Sequence, residues 1–261
     1  MKKYFKLGAT IGKTPSLVIS ILGAVFLFSV WWLVTYFQLI SEKLLPNPVD
    51  VIASLKDLLL HDELVGNMFY SVKLNLLGYV EAIIIAIPLG YLVALIPFFN
   101  SLLSKYIDAI RFLPLTAVTP ILIAWFGIGL DMKAHFLALG IIVYLLPIIV
   151  QRVNETEKVH TQTIWTLGGT SWQTFRYVYF PSAISRIFDD IRVITAISWT
   201  YIIVAELINK ESGIGAMINL VTRQSRMDKM FMLLIVIIIF GILQDKLFKY
   251  ADRKLFPFKY A

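Results

Sequence analysis

Two carboxylates stand inside apolar stretches of this 261-residue chain, Glu81 and Glu206, and chemistry is sought there first. Ala82-Ile83-Ile84-Ile85-Ala86 follows Glu81 directly. A charge in such surroundings is costly, so it needs a partner, a watery passage or a proton. Glu81 reads either as a pathway or gate residue, or as a structural acid that is paired with a cation on another helix or protonated at a helix contact. Glu206 has the same two readings, gate or subunit contact against structure. Arg111 has Asp108 one helical turn before it, which points to a local ion pair. Thr116, Thr119, Thr195, Ser198 and Thr200 either line a passage or hold helices together, as small hydroxyl residues do in membranes.

Other chemistry is excluded by residue type and spacing. With no Cys, disulfides, thiol nucleophiles and Cys-ligated metals are ruled out together. His61, His135 and His160 are far apart, no two at metal-ligand spacing, and read as surface or interface residues. Gly8-Ala-Thr-Ile-Gly12-Lys13-Thr14 imitates a phosphate loop, but it has three residues between its glycines where the motif needs four, and no buried strand precedes it. No nucleophile has an attendant base. The chain reads as no enzyme, with no metal and no cofactor of its own, and any pumping would take its energy from another subunit.

The elements that position these residues are membrane helices. Charged residues make up 16% of the chain and hydrophobic ones 58%, with a mean hydropathy of +0.77, whereas a soluble domain is about 25% charged. A helical span needs about 20 apolar residues. Uncharged runs of 28 residues after Lys13, 23 after Glu81, 19 after Arg111 and 18 after Lys133 qualify, while those of 13 after Arg192 and 15 after Lys229 need extension at their ends. The expectation is an all-α polytopic protein with six transmembrane helices at about 17–38, 72–97, 107–126, 133–151, 187–208 and 227–248, joined between the third and fourth by a tight turn at Gly127–Asp131. The fifth would carry Asp189, Asp190 and Arg192 at its end, where the arginine snorkels and the acids pair with it. The first helix is too long for a cleavable signal. With the N-terminus inside, the inner segments hold fourteen Lys and Arg against seven outside, which sets both termini in the cytoplasm. The net charge of +7 thus reports orientation and not a nucleic-acid partner.

Two connections are long enough to be structured. Asn47-Pro48-Val49-Asp50 opens an outer amphipathic helix over 48–60, with Val49, Ile52, Leu55 and Leu59 on one face. The cytoplasmic segment 152–186 reads as helix, glycine break, helix. Gly168 ends the first helix in a left-handed conformation, Thr170 and Gln173 form a capping box, and the second helix stops at Pro181. Ile164, Trp165, Leu167, Trp172, Phe175 and Val178 offer more apolar surface than this stiff elbow can bury on itself. A DNA-reading motif has too little positive charge here, which leaves packing on the chain's own bundle or docking of a cytoplasmic protein.

At this point the residues resemble a family. Gly168 and Pro181 are thirteen apart, with Trp172, Phe175 and Val178 between them, as in the signature loop of ABC importer permeases of the nitrate/sulfonate/taurine branch. Leu113-Pro114 with Ala117, Pro120 and Trp125-Phe-Gly-Ile-Gly129, Ala205-Glu206 with Ser212-Gly213-Ile-Gly215, and Leu45-Pro46-Asn47-Pro48 are similar to other segments of that branch, so the resemblance runs from about Leu44 to Met217. One departure is clear: the family's Glu-Ala-Ala stands here as Gln162-Thr163-Ile164. The resemblance implies a single type I ABC importer permease domain over 1–261, in the inner (plasma) membrane among its lipids. It implies a second permease copy, a cytoplasmic ABC ATPase dimer that binds ATP and Mg, and an extracytoplasmic solute-binding protein. Gln162, Leu167, Gly168, Trp172, Phe175 and Pro181 would couple to the ATPase. Import of a small anion such as nitrate, a sulfonate, taurine or bicarbonate would follow by alternating access. The competing readings are an ion-gradient-driven transporter using Glu81 and a membrane scaffold that transports nothing.

Overall fold

The structure, a computed structural model, describes residues 8, 11–209 and 211–260. Lys2, Lys3, Lys6 and Lys210 of the charge count, and Ala9 and Thr10 of the phosphate-loop imitation, lie outside the described residues. Among the described residues there is no strand. Helices α1 (Lys13–Tyr36), α2 (Pro48–Leu60), α3 (Leu64–Leu95), α4 (Pro97–Ile110), α5 (Leu115–Phe126) and α6 (Leu130–Asn154) precede the elbow helices α7 (Lys158–Thr166) and α8 (Ser171–Thr174). A π-helical turn (Phe175–Tyr179) leads into α9 (Phe180–Asn209), followed by α10 (Ile214–Arg223), α11 (Met227–Leu255) and a 3-10 turn at Pro257–Lys259.

Five of these stretches are long and apolar enough to cross a bilayer, and a sixth follows if α4 and α5 count as one broken span. The span expected at 107–126 is divided because Leu113-Pro114 sits inside it. A residue before proline is pushed out of the helical region, and α4 and α5 meet there at 107°. Arg111, at the end of α4, lays its guanidinium over the Phe112 ring at 5.4 Å. The Asp108–Arg111 ion pair expected from spacing does not form among the described residues. The helices expected at 72–97 and 187–208 are parts of the longer α3 and α9.

Contacts sort the chain into two units. In the first, residues 1–62 with 220–234, the α2 N-terminus is capped as its sequence dictates, Asn47 Oδ1 accepting from the Val49 amide at 2.9 Å. The face it buries is Val51, Ser54 and Leu58, while Val49 and Ile52 of the stripe read from sequence are exposed. The buried face also carries polar contacts: Ser54 Oγ donates to the Val51 carbonyl at 2.7 Å within α2 and lies 3.3 Å from the Asp228 carbonyl. Lys229 Nζ bonds Asp62 at 2.5 Å, and Trp31 Nε1 reaches the Pro46 carbonyl at 3.1 Å.

The second unit, residues 63–219 with 235–261, contains the sites discussed below. Its spine is α3 against α6, which run in the same direction. Gly78, Ala82, Ala86 and Gly90 form a buried stripe of small residues at every fourth position of α3, the arrangement that lets membrane helices approach closely. A Cβ on Gly78 would lie 2.7 Å from Leu137, and one on Gly90 would lie 2.4 Å from Ile149. Pro88, Pro120 and Pro147 are carried inside helices, as membrane helices tolerate when neighbours re-satisfy the freed backbone groups. Leu115, Leu122, Met132, Phe136 and Ala205 gather α5, α6 and α9 into an apolar cluster.

Candidate functional site

The elbow is built by local backbone chemistry. At the end of α7, Gly168 takes a φ of +76°, which an L side chain adopts only under strain. Its amide donates to the Trp165 carbonyl at 3.0 Å, and the Gly169 amide donates to that of Ile164 at 2.9 Å, the two bonds of a Schellman motif. The chain then re-enters a helix through a complete capping box. The Thr170 amide donates to Gln173 Oε1 at 2.7 Å, and the Gln173 amide donates to Thr170 Oγ1 at 3.3 Å. Trp165 Nε1 donates to Thr174 Oγ1 at 3.2 Å and ties the two arms together.

The second arm does not stop at Pro181. It passes through the π turn and continues as α9, with the Phe180 amide bonded to the Phe175 carbonyl. Proline cannot donate to the carbonyl four residues back, and the wider turn just before Pro181 changes the bonding register so that the helix carries on. The second arm of the elbow is therefore continuous with the membrane helix that follows it.

Its surface divides sharply. Leu167 is 82% exposed, Trp172 69% and Trp165 59%, and Gln162 is exposed on α7. Phe175, half-buried, turns the other way: its ring meets Trp172 at 5.4 Å, Tyr91 of α3 at 5.6 Å and Phe180 at 6.0 Å. The Tyr91 hydroxyl donates to the Phe180 carbonyl at 3.1 Å. Aromatic contacts thus run without a gap from Trp172 through Phe175 to Tyr91 of α3.

Ion pairs clamp the roots of the elbow. Arg152 at the end of α6 grips Asp190 of α9 with two bonds, at 2.7 and 2.9 Å, and Glu155 with a third at 2.9 Å. Arg186 adds a contact to Glu155 at 3.6 Å. Hydrogen bonding from Arg152, then from Gln151, holds the Glu155 carboxyl below the ordinary carboxylate range. The acids at the start of α9 do not pair with their own Arg192, as the sequence reading expects. Asp189 binds Lys259 at 2.8 Å, and Arg192 binds Asp245 of α11 at 2.6 Å. Asp190, two residues from Arg192, points to another face and is taken by Arg152, while Asp189, within reach of Arg192 by spacing, and Arg192 itself are taken by partners outside α9.

Among the intramembrane candidates, Glu206 is fully buried. It accepts from Ser71 Oγ at 2.5 Å and from the Gly215 amide at 2.7 Å. Ser71 Oγ accepts from the Ile214 amide at 3.0 Å, and Asn67 Oδ1 accepts from that of Gly213 at 2.8 Å. Together they satisfy the start of α10, whose free amides favour a carboxylate. Gly213, at a φ of +103°, leaves room for the acid, since a Cβ there would lie 2.1 Å from Oε1. Lys133, also fully buried, stands nearby with Nζ 3.4 Å from the Tyr70 hydroxyl.

Thr195 and Ser198 are buried in helix contacts: Tyr79 donates to Thr195 at 3.1 Å and Asn75 to Ser198 at 3.2 Å, both from α3 to α9. Thr116 is exposed and Thr119 half-buried on α5. The structure brings neither of these to the α3–α9 contact. Glu81 meets a residue that sequence reasoning left apart from it, His135, whose Nδ1 lies 2.7 Å from Oε1. The available signal was that each is alone in an otherwise uncharged run, Glu81 between Lys73 and Lys105 and His135 between Lys133 and Arg152. Among the described residues no group of three or more His, Asp or Glu could hold a metal ion.

A multi-span helical bundle with a stiff, apolar elbow defines a membrane transport subunit. Residues 86–257 match the family model described as the binding-protein-dependent transport system inner membrane component, and the chain belongs to that family. Similar proteins include the taurine transport system permease protein TauC of Escherichia coli, 27% identical over 236 residues that span 88% of this chain and 86% of that one. Another is SsuC of Bacillus subtilis, named for aliphatic sulfonates transport, 28% identical over 240 residues, 89% of this chain and 84% of that one. In fold the chain resembles an inward-facing MetNI methionine ABC transporter, with a TM-score of 0.65 at 16% identity over 73% of this chain and 95% of that chain. The chain is an inner-membrane permease subunit of an ABC importer, a transport component and not an enzyme. These relatives lend no support to the ion-gradient-driven alternative.

Proposed function

We propose that this permease imports a small sulfonate-type anion and that its elbow, residues 152–186, is the lever through which an ATPase drives it. The observation that carries the coupling role is the division of the elbow surface: Leu167 and Trp172 exposed on one side, Phe175 packed edge-to-face on Tyr91 of α3 on the other. The exposed side, with Gln162 at its edge, fits a groove of a cytoplasmic ATPase dimer in which ATP and Mg are bound. Gln162 in place of the family's acid gives that groove a neutral hydrogen-bonding partner, roughly half as strong as a charged one. Gly168 and the capping box keep the lever stiff, and the π turn before Pro181 joins it to α9, so nucleotide-driven closure of the ATPases tilts α9, α3 and α6 together. Two copies of the chain would form the passage, and an extracytoplasmic binding protein would deliver the solute. The substrate class rests on the likeness to the taurine and sulfonates permeases.

Uptake into vesicles holding the permease and its ATPase is expected to require ATP inside and a loaded binding protein outside. Uptake of a sulfonate driven by a proton or sodium gradient alone would refute the reading.

A further inference from the structure

Glu81 and His135 pair at 2.7 Å, yet each side chain stays about a third exposed, 32% and 33%. Glu81 lies in the middle of α3, with no other charged residue for seven positions before it and 23 after it, and His135 lies in the second turn of α6, two residues after Lys133. A pair turned toward hydrocarbon would be expensive, and ionisable groups in membrane helices face a bundle interior or a watery cavity. The exposed side of this pair therefore meets water or another polar surface. A second observation gives the site a direction. The carboxyl occupies Nδ1 and so orients the ring, and Nε2 has no hydrogen-bond partner among the described residues. The Phe126 ring covers one side of the imidazole, with centroids 4.2 Å apart, and Ile84, one turn along α3 from Glu81, is 66% exposed.

We propose that the Glu81–His135 pair faces the solute passage and that, with one proton held in the bond between the carboxyl and Nδ1, the Nε2–H of His135 donates to an oxyanion of the transported solute. Glu81 is the positioning residue: it holds the ring with Nε2 turned away from it. The pair as a whole is neutral, so a passing anion meets a directed donor without a net charge to trap it. This deepens the permease reading above and rests on it.

The chain has no Cys, so single thiols report cleanly in the complete permease–ATPase complex. Ile84→Cys, which leaves the pair intact, is expected to react with a charged, membrane-impermeant methanethiosulfonate. Leu27→Cys on α1, 69% exposed, is expected to react only with a lipid-soluble maleimide. If Ile84→Cys behaves like Leu27→Cys, the passage assignment falls, whatever the substrate. For the donor role, taurine and ethanesulfonate uptake is measured at saturating binding protein. His135→Leu is expected to lose about tenfold or more in rate, the worth of one charge-assisted hydrogen bond, with His135→Arg recovering most of it and His135→Gln not. Equal rates in Leu and Arg variants would overturn the oxyanion role. A wild-type complex that takes up neither sulfonate would instead overturn the substrate class proposed earlier, and the labelling result would still decide the passage.

Discussion

Glu206 shows how a single buried carboxylate organises a neighbourhood. Its two oxygens are used by Ser71 and the Gly215 amide, and Lys133 is buried close by. Removing the carboxylate leaves the buried Ser71 hydroxyl and Gly215 amide without an acceptor, at about 1–3 kcal/mol for each unsatisfied group. Glu206→Ala is expected to lower the melting temperature of the purified protein sharply or to abolish its accumulation. Glu206→Gln, which keeps an acceptor, should be milder, and equal melting of Ala and Gln variants would contradict the capping role. Glu155 yields a pH test. Its carboxyl is held below the ordinary range by Arg152 and Gln151, so its contribution is present above the unfolded value, about 4.3, and is lost as pH falls through the folded one. Wild type and Glu155→Gln should differ most in melting at pH 7, and the difference should shrink as pH falls below the ordinary carboxylate range. The sequence marked Glu81 and Glu206 as residues that need partners, because isolated charges in apolar runs are visible in one dimension. It could not supply His135 or Ser71, which are 54 and 135 residues away.

Elements were legible where local rules decide them. The Schellman end at Gly168, the Thr170–Gln173 box and the Asn47 cap are written in adjacent residues and stand as local chemistry dictates. The continuation through Pro181 was not legible, because a π turn has no sequence signature and is held by Phe175 and Phe180 against Tyr91. Nor was the packed face of α2, where two apolar stripes compete and the buried one carries Ser54. Gly168→Val should strain the turn by about 1–3 kcal/mol and uncouple ATP hydrolysis from uptake while the membrane helices still fold, as helical circular dichroism would show. Gly78→Leu forces a side chain into Leu137, where the ideal Cβ already lies 2.7 Å away. Overpacking of that kind costs about 1–3 kcal/mol, and a drop in melting temperature would report it. An unchanged melting temperature would mean that α3 and α6 are less tightly apposed.

At the scale of the molecule, the bilayer is the solvent that sets the architecture, and the long uncharged runs read from charge spacing fall on helices long and apolar enough to cross it. What that spacing could not show is that one crossing is broken at Pro114 into α4 and α5, since a proline-bearing apolar run reads the same whether it bends or not. In the proposed mechanism the aromatic and ionic ties around the elbow, Tyr91 with Phe175 and Arg152 with Asp190, join the neighbouring ends of α3, α6 and α9 so that they would move as one body. That is the central claim, and it requires the exposed side of the elbow to be where the ATPase acts. The direct measurement is co-purification of the ATPase with Trp172→Ala and Leu167→Ser permeases, alongside ATP-dependent uptake, in variants whose melting temperature matches wild type. Both ATPase recovery and uptake are expected to fall about tenfold or more, the loss of a buried aromatic anchor at an interface. Full recovery of the ATPase with undiminished uptake would contradict the account.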